Sequence, residues 1–357
     1  MNTEVWILGS TGRVGRAVAA RLTDSGVPVV LCGRDSERLA RLSSQLGNPS
    51  RVVAGSLTEV LAGLGQQAPA AVVNTVGPFP ETAPQVLAAC SPTTHYVDVA
   101  NEPSAVSAVL DRDPAEDATR TVVTGAGFGV LGTESIAGRV CADRPPAASL
   151  RVDAIASVEG EAGRFGTALA RSLLESIVLG GHQVEDGRLV PARFGDHPIE
   201  LVTPDGDTVR TAGMPSGELI AAWRLSGARS VLAASNMAPS TLPVRIALRV
   251  GTALLQIPPV ARFAVARLAA VRMPARPRPR EHSWARARAQ WADGEVREGW
   301  LRAPEGMAFT SAIIAEVVRR CVAGDSKPGA YTPVAAFGPE LAEAAGAEFI
   351  FSESVGR

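Results

Sequence analysis

The chain has 357 residues, enough for about two domains at the usual size of one core. An apolar fraction of 46% and a charged fraction of 20% belong to a globular protein rather than a disordered one. A formal net charge of −1 leaves no global basic field to attract nucleic acid.

A single lysine, Lys327, stands against 34 arginines, so any mechanism that needs a lysine must use that one. Cys32, Cys90, Cys141 and Cys321 are far apart and form no C-x-x-C pair. The chain also enters a strand directly, without a charged leader and cleavage site. Together these features predict a reducing cytoplasm. His95, His182, His197 and His282 are scattered, which predicts no metal site.

In chain order, Val5 to Leu8 reads as a strand and Val14 to Leu22 as a helix with apolar residues at helical spacing. Val27 to Cys32 is the second strand. Residues 35–46 form the second helix, capped by Asp35 or Ser36 and stopped by Gly47. Arg51 to Ala54 is a strand, Leu57 to Leu64 a helix, Ala70 to Val76 a strand and Thr82 to Cys90 a helix. His95 to Val99 and Thr121 to Val123 complete the strands. Continuous apolar strands alternating with helices predict a doubly wound parallel sheet of Rossmann type over residues 1–125.

After Gly125 the pattern changes. Ser149 to Val158 alternates as a strand, and Gly166 to Val178 reads as a helix. Asp186-Gly187 and Asp205-Gly206 mark turns between short antiparallel strands. Trp284 to Trp291 alternates strictly, and Asp293-Gly294 turns it into Val296 to Leu301. Thr310 to Val322 is a helix. Residues 126–330 are thus expected to form an α+β domain for substrate or dimerisation, on a largely antiparallel or mixed sheet covered by one helix layer. Residues 330–357 are expected to pack back on the first domain.

Residues 241–275 mix apolar side chains with Arg245, Arg249, Arg262, Arg267 and Arg272, and no stretch is long and uncharged enough to span a bilayer. Helices packed on the second domain are the better fit. A cationic amphipathic surface touching membrane or a lipid-like substrate is the other reading. Arg276 to Arg280, in which Arg and Pro alternate, reads as a stiff exposed linker.

Chemistry concentrates at the carboxyl ends of the first strands. Gly9-Ser10-Thr11-Gly12-Arg13-Val14-Gly15 lies between a strand and a helix, at G-x-x-G-x-x-G spacing. Gly9 suits the tight turn, Gly12 the close approach of a phosphate and Gly15 the packing of helix on strand, so the loop predicts dinucleotide binding. The second strand ends in Cys32-Gly33-Arg34-Asp35. No acid stands where a ribose 2′-hydroxyl would be read, and Arg34 suits a 2′-phosphate, so NADP(H) is expected over NAD. Asn74-Thr75-Val76-Gly77-Pro78-Phe79 follows the fourth strand, where Asn74, Val76, Gly77, Pro78 and Phe79 would wall the ribose and nicotinamide.

These stretches resemble the saccharopine dehydrogenase-like reductases, a superfamily that includes saccharopine reductases and the trans-acting enoyl reductases of lipid biosynthesis. The resemblance continues through Cys90, His95-Tyr96-Val97-Asp98, Glu102, Gly166-Thr167 and Lys327 to Pro333. It implies a Rossmann domain, a second α+β domain with a large sheet, and NADP(H) between them. The chain departs from that pattern at Gly127-Phe128-Gly129-Val130-Leu131-Gly132, where the superfamily carries G-F-D-x-x-P, and at Ser56, where it tends to carry Asp.

Hydride transfer to C=C, C=N or C=O needs a proton source or a stabilised oxyanion. Neither Tyr96 nor Tyr331 has a lysine four residues later, which excludes the Tyr-Lys pair of short-chain dehydrogenases. Tyr96, Asp98 and Glu102 are the candidate catalytic residues, though each also suits a loop-anchoring role. His182 and Thr167 are second-domain candidates. The expected function is an NADPH-dependent oxidoreductase acting on a small apolar metabolite. The alternatives are a non-catalytic NADP-binding sensor or scaffold and a saccharopine-type amino-acid dehydrogenase. The expected partner is a small-molecule substrate, and a homodimer through the second domain's sheet is the default assembly.

Overall fold

The computed structural model describes residues 3–47, 51–160, 163–164, 170, 174, 180–239, 255 and 257–351. The chain divides into two compact units, Met1–Leu131 with Met307–Gly346, and Gly132–Gly306 with Ala347–Arg357.

The first unit opens with β1 (Val5–Leu8), α1 (Arg13–Asp24), β2 (Val29–Gly33), α2 (Ser36–Gln45), β3 (Arg51–Ala54) and α3 (Leu57–Gln67). It continues with β4 (Ala71–Asn74), α4 (Phe79–Ala89), β5 (His95–Asp98), α5 (Pro103–Leu110), β6 (Thr121–Val123) and the first turn of α6 (Phe128–Cys141), whose remainder clusters with the second unit. Every β1 residue is buried, as are all four of β4, because helices cover both sheet faces. Helix α1 buries Gly15, Val18, Ala19 and Leu22, one stripe at helical spacing. Trp6, Leu8, Val30, Val72, Tyr96 and Val122 meet in one apolar cluster with Val60 and Leu64 of α3.

Two of the boundaries that differ from the sequence expectation have a local cause. Strand β4 stops at Asn74, not Val76, because the Asn74 side chain accepts from Val76 N–H at 3.0 Å and bends the chain out of the ladder. Helix α4 starts at Phe79 rather than Thr82, with Pro80 in the first turn, where its missing N–H costs nothing.

The second unit contains β7 (Ser149–Ile155), β8 (Gly163–Arg164), β9 (Gly181–Glu185), β10 (Arg188–Ala192), β11 (Ile199–Val202), β12 (Thr208–Gly213) and α7 (Gly217–Ser226). There follow β13 (Ser230–Ser235), α8 (Pro258–Ala270), β14 (Arg272–Met273), β15 (Ser283–Gln290) and β16 (Val296–Ala303). Hairpins turn at Asp186-Gly187 and at Gly294, where φ is +47°, +73° and +89°. The last elements are α9 (Gly306–Ala323), β17 (Gly329–Tyr331), α10 (Pro333–Phe337), α11 (Leu341–Ala344) and β18 (Glu348–Ile350).

The first sheet runs β17-β6-β5-β4-β1-β2-β3, all parallel. The second is mixed, in the order β10-β9-β13-β7-β15-β16-β18, with β12 and β11 continuing from β13. Its β7–β13 pair is parallel and its other pairs antiparallel. The fold class expected from the sequence is therefore the observed one, a doubly wound parallel sheet plus an α+β unit on a mixed sheet. The C-terminal stretch is shared, since β17 joins the first sheet while β18 pairs with β16 in the second. Residues 307–330 cluster with the first unit. There Ser311 of α9 accepts from Arg21 Nε of α1 at 2.9 Å.

On β15, Ala285, Ala287 and Ala289 point to one face of the second sheet and Trp284, Arg286 and Arg288 to the other. The small face admits close packing: a Cβ on Gly299 of β16 would stand 2.9 Å from Ile136 of α6. The opposite face holds a buried ion network. Asp153 is fully buried, accepting from Arg286 Nη1 at 3.0 Å, Thr211 Oγ1 at 2.7 Å and Arg151 Nε at 3.0 Å. Arg286 also forks onto Glu298 at 2.8 and 2.6 Å.

Residues 240–254 and 256 lie outside the described residues, as do Gly166, Thr167 and most of the helix expected over 166–178. Part of the 241–275 stretch is α8. The stretch expected as a linker is exposed over 276–279, but it is clipped down. Gly160 and Arg276 form an antiparallel bridge, and Arg280 Nη2 donates to the Ala156 carbonyl at 2.7 Å.

Replacing Asp153 by Ala leaves two arginines facing a vacated buried position. We expect a loss of about 3 kcal/mol in urea denaturation, while Asp153→Asn, which keeps acceptor capacity, loses less.

Candidate functional site

Strand β1 pairs with β2 on one side and β4 on the other, so the chain leaves the middle of the first sheet in opposite directions from there. In open parallel sheets such a switch point opens a crevice at the carboxyl ends of the strands. The loop Gly9 to Arg13 runs along it. Gly9 has φ of +81°, and both Gly9 N–H and Ser10 N–H donate to the Cys32 carbonyl at 3.1 Å. Buried Ser10 ties the two strands, its Oγ donating to Ile7 O at 2.6 Å and accepting from Cys32 N–H at 3.0 Å.

Both ends of this loop are glycine for steric reasons. A Cβ on Gly15 would stand 2.4 Å from the Gly9 carbonyl oxygen and 2.9 Å from Ser10 Cα. A Cβ on Gly9 would lie 2.7 Å from Thr75 Oγ1. Gly12, the exposed residue before α1, donates its N–H to Gly9 O at 2.9 Å. Thr11, Arg13 and Val14 are half-buried around it.

The helices around the crevice differ in their caps. Helix α2 is capped by Asp35, which accepts from Arg38 N–H, and α3 by Ser56 in a reciprocal capping box with Glu59. Those two hydrogen bonds from Ser56 hold the exposed Glu59 carboxyl below its ordinary range. Helices α1 and α4, which start beside the switch point at Gly12 and Pro78, have no side-chain cap. Their first N–H groups and positive dipole ends suit an anionic ligand.

At the end of β2, burial pushes the Cys32 thiol up to about 12, against a weaker pull from Arg51, so this position carries no charge at neutral pH. Arg34 is exposed, and the side chain of Asp35 is engaged in capping α2. The β4 loop is braced from inside. Fully buried Asn74 donates to Tyr96 Oη at 3.2 Å and Thr82 Oγ1 at 3.4 Å, while Thr82 donates to Val76 O at 2.6 Å. Asn74 thus shapes the loop from beneath, and Val76, Gly77 and Phe79 are half-buried at its surface. The Gly77–Pro78 peptide is cis, with Pro78 buried.

The three carboxylate and phenol candidates on β5 and just after it part company. Asp98 is fully buried and accepts four hydrogen bonds, from Tyr96 Oη at 2.9 Å, Thr124 Oγ1 at 2.9 Å, and the N–H groups of Ala100 and Gly125 at 3.0 Å. Burial raises its carboxyl above the ordinary range despite those donors. Tyr96 is equally enclosed; burial, with the Asp98 charge second, pushes its phenol well up. Glu102, the N-cap residue of α5, is half-buried. His95 accepts from Thr121 N–H through Nδ1 at 3.0 Å, and burial lowers its pKa. His182 lies on β9 opposite Pro191 in the second unit, and Thr167 is outside the described residues.

Three residues that the sequence did not single out help build the site. Thr75 donates to Leu8 O at 2.7 Å and spaces the two loops. Thr124 secures the β6 end to Asp98. Thr310, distant in sequence, accepts from Phe128 N–H at 3.1 Å at the start of α6. The only signal for Thr75 and Thr124 is a hydroxyl one residue past a buried apolar strand; for Thr310 there is none. Among the described residues no three His, Cys, Asp or Glu side chains gather as a metal site.

No family model matches the chain. Saccharopine dehydrogenase (L-Glu forming) from Saccharomyces cerevisiae is similar in structure, with a TM-score of 0.60 and 11% identity over 98% of this chain and 100% of that one. At that identity the likeness establishes a shared fold alone. Two uncharacterized oxidoreductases from strains of Staphylococcus epidermidis are 35% identical over 52 residues. That match takes in 15% of this chain and 23% of the length of each relative.

Deleting the Asp98 carboxylate leaves four donors without an acceptor. Asp98→Ala should cost about 3 kcal/mol or more in chemical denaturation, whereas Tyr96→Phe, which removes one donor, should cost about 1 kcal/mol.

Proposed function

We propose that this chain is an NADP(H)-dependent oxidoreductase that moves a hydride to a C=C, C=N or C=O bond of a small apolar metabolite. What carries the assignment is the pairing of the uncapped Gly9–Gly15 turn at the switch point with exposed Arg34 at the end of β2, where no uncommitted carboxylate stands. A 2′-phosphate would meet a guanidinium there, and a carboxylate that prefers a free ribose hydroxyl is missing.

The residues present fit the cofactor. Gly9, Ser10 and Gly12 spend their own N–H groups on shaping the turn. The backbone N–H groups of Thr11, Arg13 and Val14 would face the pyrophosphate, and Gly15 lets α1 come close enough for them to do so. Arg34 would hold the 2′-phosphate. Val76, Gly77, Pro78 and Phe79 would wall the ribose and nicotinamide, on a loop held in shape by Asn74 and Thr82. NADPH, when bound, supplies the hydride. Tyr96 and Asp98 act as the anchor under the β5 and β6 loops, since every polar atom of theirs is enclosed and paired. Glu102 is left as the half-buried group able to exchange a proton with solvent or substrate. A reducing cytoplasm suits the four free cysteines of the chain.

A second reading, a non-catalytic NADP-binding sensor, is favoured by one observation: two of the three proton-donor candidates are sealed in the interior. Turnover separates the two. Consumption of NADPH, followed by its absorbance, with an enoyl, imine or keto acceptor supports the enzyme; binding without turnover on all three classes supports the sensor.

Arg34→Ala should weaken NADPH binding about 10- to 100-fold and leave NADH binding nearly unchanged, as read by fluorescence titration. Equal losses for both cofactors would sink the 2′-phosphate assignment. Glu102→Gln should lower kcat at least about tenfold with cofactor affinity intact; an unchanged kcat removes Glu102 from the chemistry.

A further inference from the structure

From Leu219 to Arg280 the chain carries ten arginines and neither aspartate nor glutamate, so the remainder has a net charge of −11. Helix α8 lies inside this stretch, and none of its described side chains is fully buried. Helix α7 of the same unit, by contrast, buries six residues in a row, Gly217 to Ala222.

At about 100° per residue, the two sides of α8 separate cleanly. Ala261, Ala264, Val265, Leu268 and Ala269 are half-buried and share one side. The exposed residues share the other. Phe263, 66% exposed, is near the centre of that open side, Val260 lies toward one margin, and Arg262 and Arg267 flank the two edges. Ile257 before the helix and Val271 after it are 48% and 43% exposed. Arg272, Arg276 and Arg278 follow, all exposed. The β14–β8 pairing and the Gly160–Arg276 bridge hold this basic stretch against the second unit directly behind the helix.

We infer that the open side of α8, with the arginines that follow it, is a docking surface for an anionic phospholipid bilayer. An apolar centre with arginines on its margins suits a helix lying flat in the interface. Phe263, Val260 and Ile257 enter the acyl boundary while the guanidinium groups stay at headgroup level. Each such cation near an anionic leaflet adds roughly 1 kcal/mol, and no carboxylate in the stretch opposes it. At 13 residues the helix is too short to cross a bilayer and long enough to lie on one. A second copy of the chain is a poor occupant, because two such surfaces would set arginines against arginines.

Vesicle co-sedimentation tests this directly on the full chain, independently of cofactor binding or turnover. The protein should pellet with phosphatidylcholine vesicles containing phosphatidylglycerol, not with phosphatidylcholine alone, and high salt should release it. Phe263→Ser should reduce partitioning about tenfold, and Arg267→Gln and Arg272→Gln about fivefold each. All three positions are exposed, and an unchanged thermal melt verifies folding. Absence of pelleting, equal pelleting with neutral vesicles, or binding indifferent to Phe263→Ser overturns the inference. So does a dimer in sedimentation velocity that Phe263→Ser abolishes without any vesicle binding, which would assign the surface to a second copy.

Discussion

The first turn of α1 touches the backbone that leaves β1 so closely that no side chain fits between them: a Cβ at Gly15 would come within 2.4 Å of the Gly9 carbonyl. Much of the first unit follows from that contact. It sets the helix directly over the end of the strand, lets Ser10 reach across to Cys32, and brings Gly9 against Thr75 of the neighbouring loop. With Gly12 at the N-cap and no side chain in the capping position, the helix N-terminus stays available to a ligand.

A second constraint works from beneath. Asp98 gathers the end of β5, the start of the following loop and the end of β6 onto one buried carboxylate, and Tyr96 links it through Asn74 to the β4 loop. Buried polar networks of this kind are costly when incomplete and specific when complete. The loops that face the crevice therefore rest on a rigid floor rather than on their own contacts. Tyr96 and Asp98 are fully buried in that floor, while Glu102 and most of the glycine turn reach the surface.

The second unit uses charge differently. Inside, Asp153 and Arg286 form a buried pair between β7, β12 and β15, from which Arg286 reaches exposed Glu298 of β16. Outside, the arginines of α8 and the strap after it stand exposed. The low lysine content obscures this contrast in overall composition, because arginine serves both the buried, planar, multidentate role and the exposed one.

The sequence by itself determined the sheet class, the glycine turn and the missing acid after β2, because these depend on local rules: continuous apolar strands, left-handed φ at Gly9, and residue identity at Arg34. It also placed the hairpins at Asp186-Gly187 and Asp293-Gly294, where turn geometry demands particular residues. What only the tertiary structure decided was which polar residues are interior. Tyr96, Asp98 and Asn74 look in the sequence like site residues at a strand end. Their partners, Thr82, Thr124 and one another, are brought together by strand pairing that periodicity alone does not encode. The capping of α6 by Thr310, 182 residues away, belongs to the same class of fact. So does the openness of α8, whose apolar residues read as core until the three-dimensional packing leaves Phe263 exposed. Burial is a property of the whole fold, and a residue's own chemistry does not contain it.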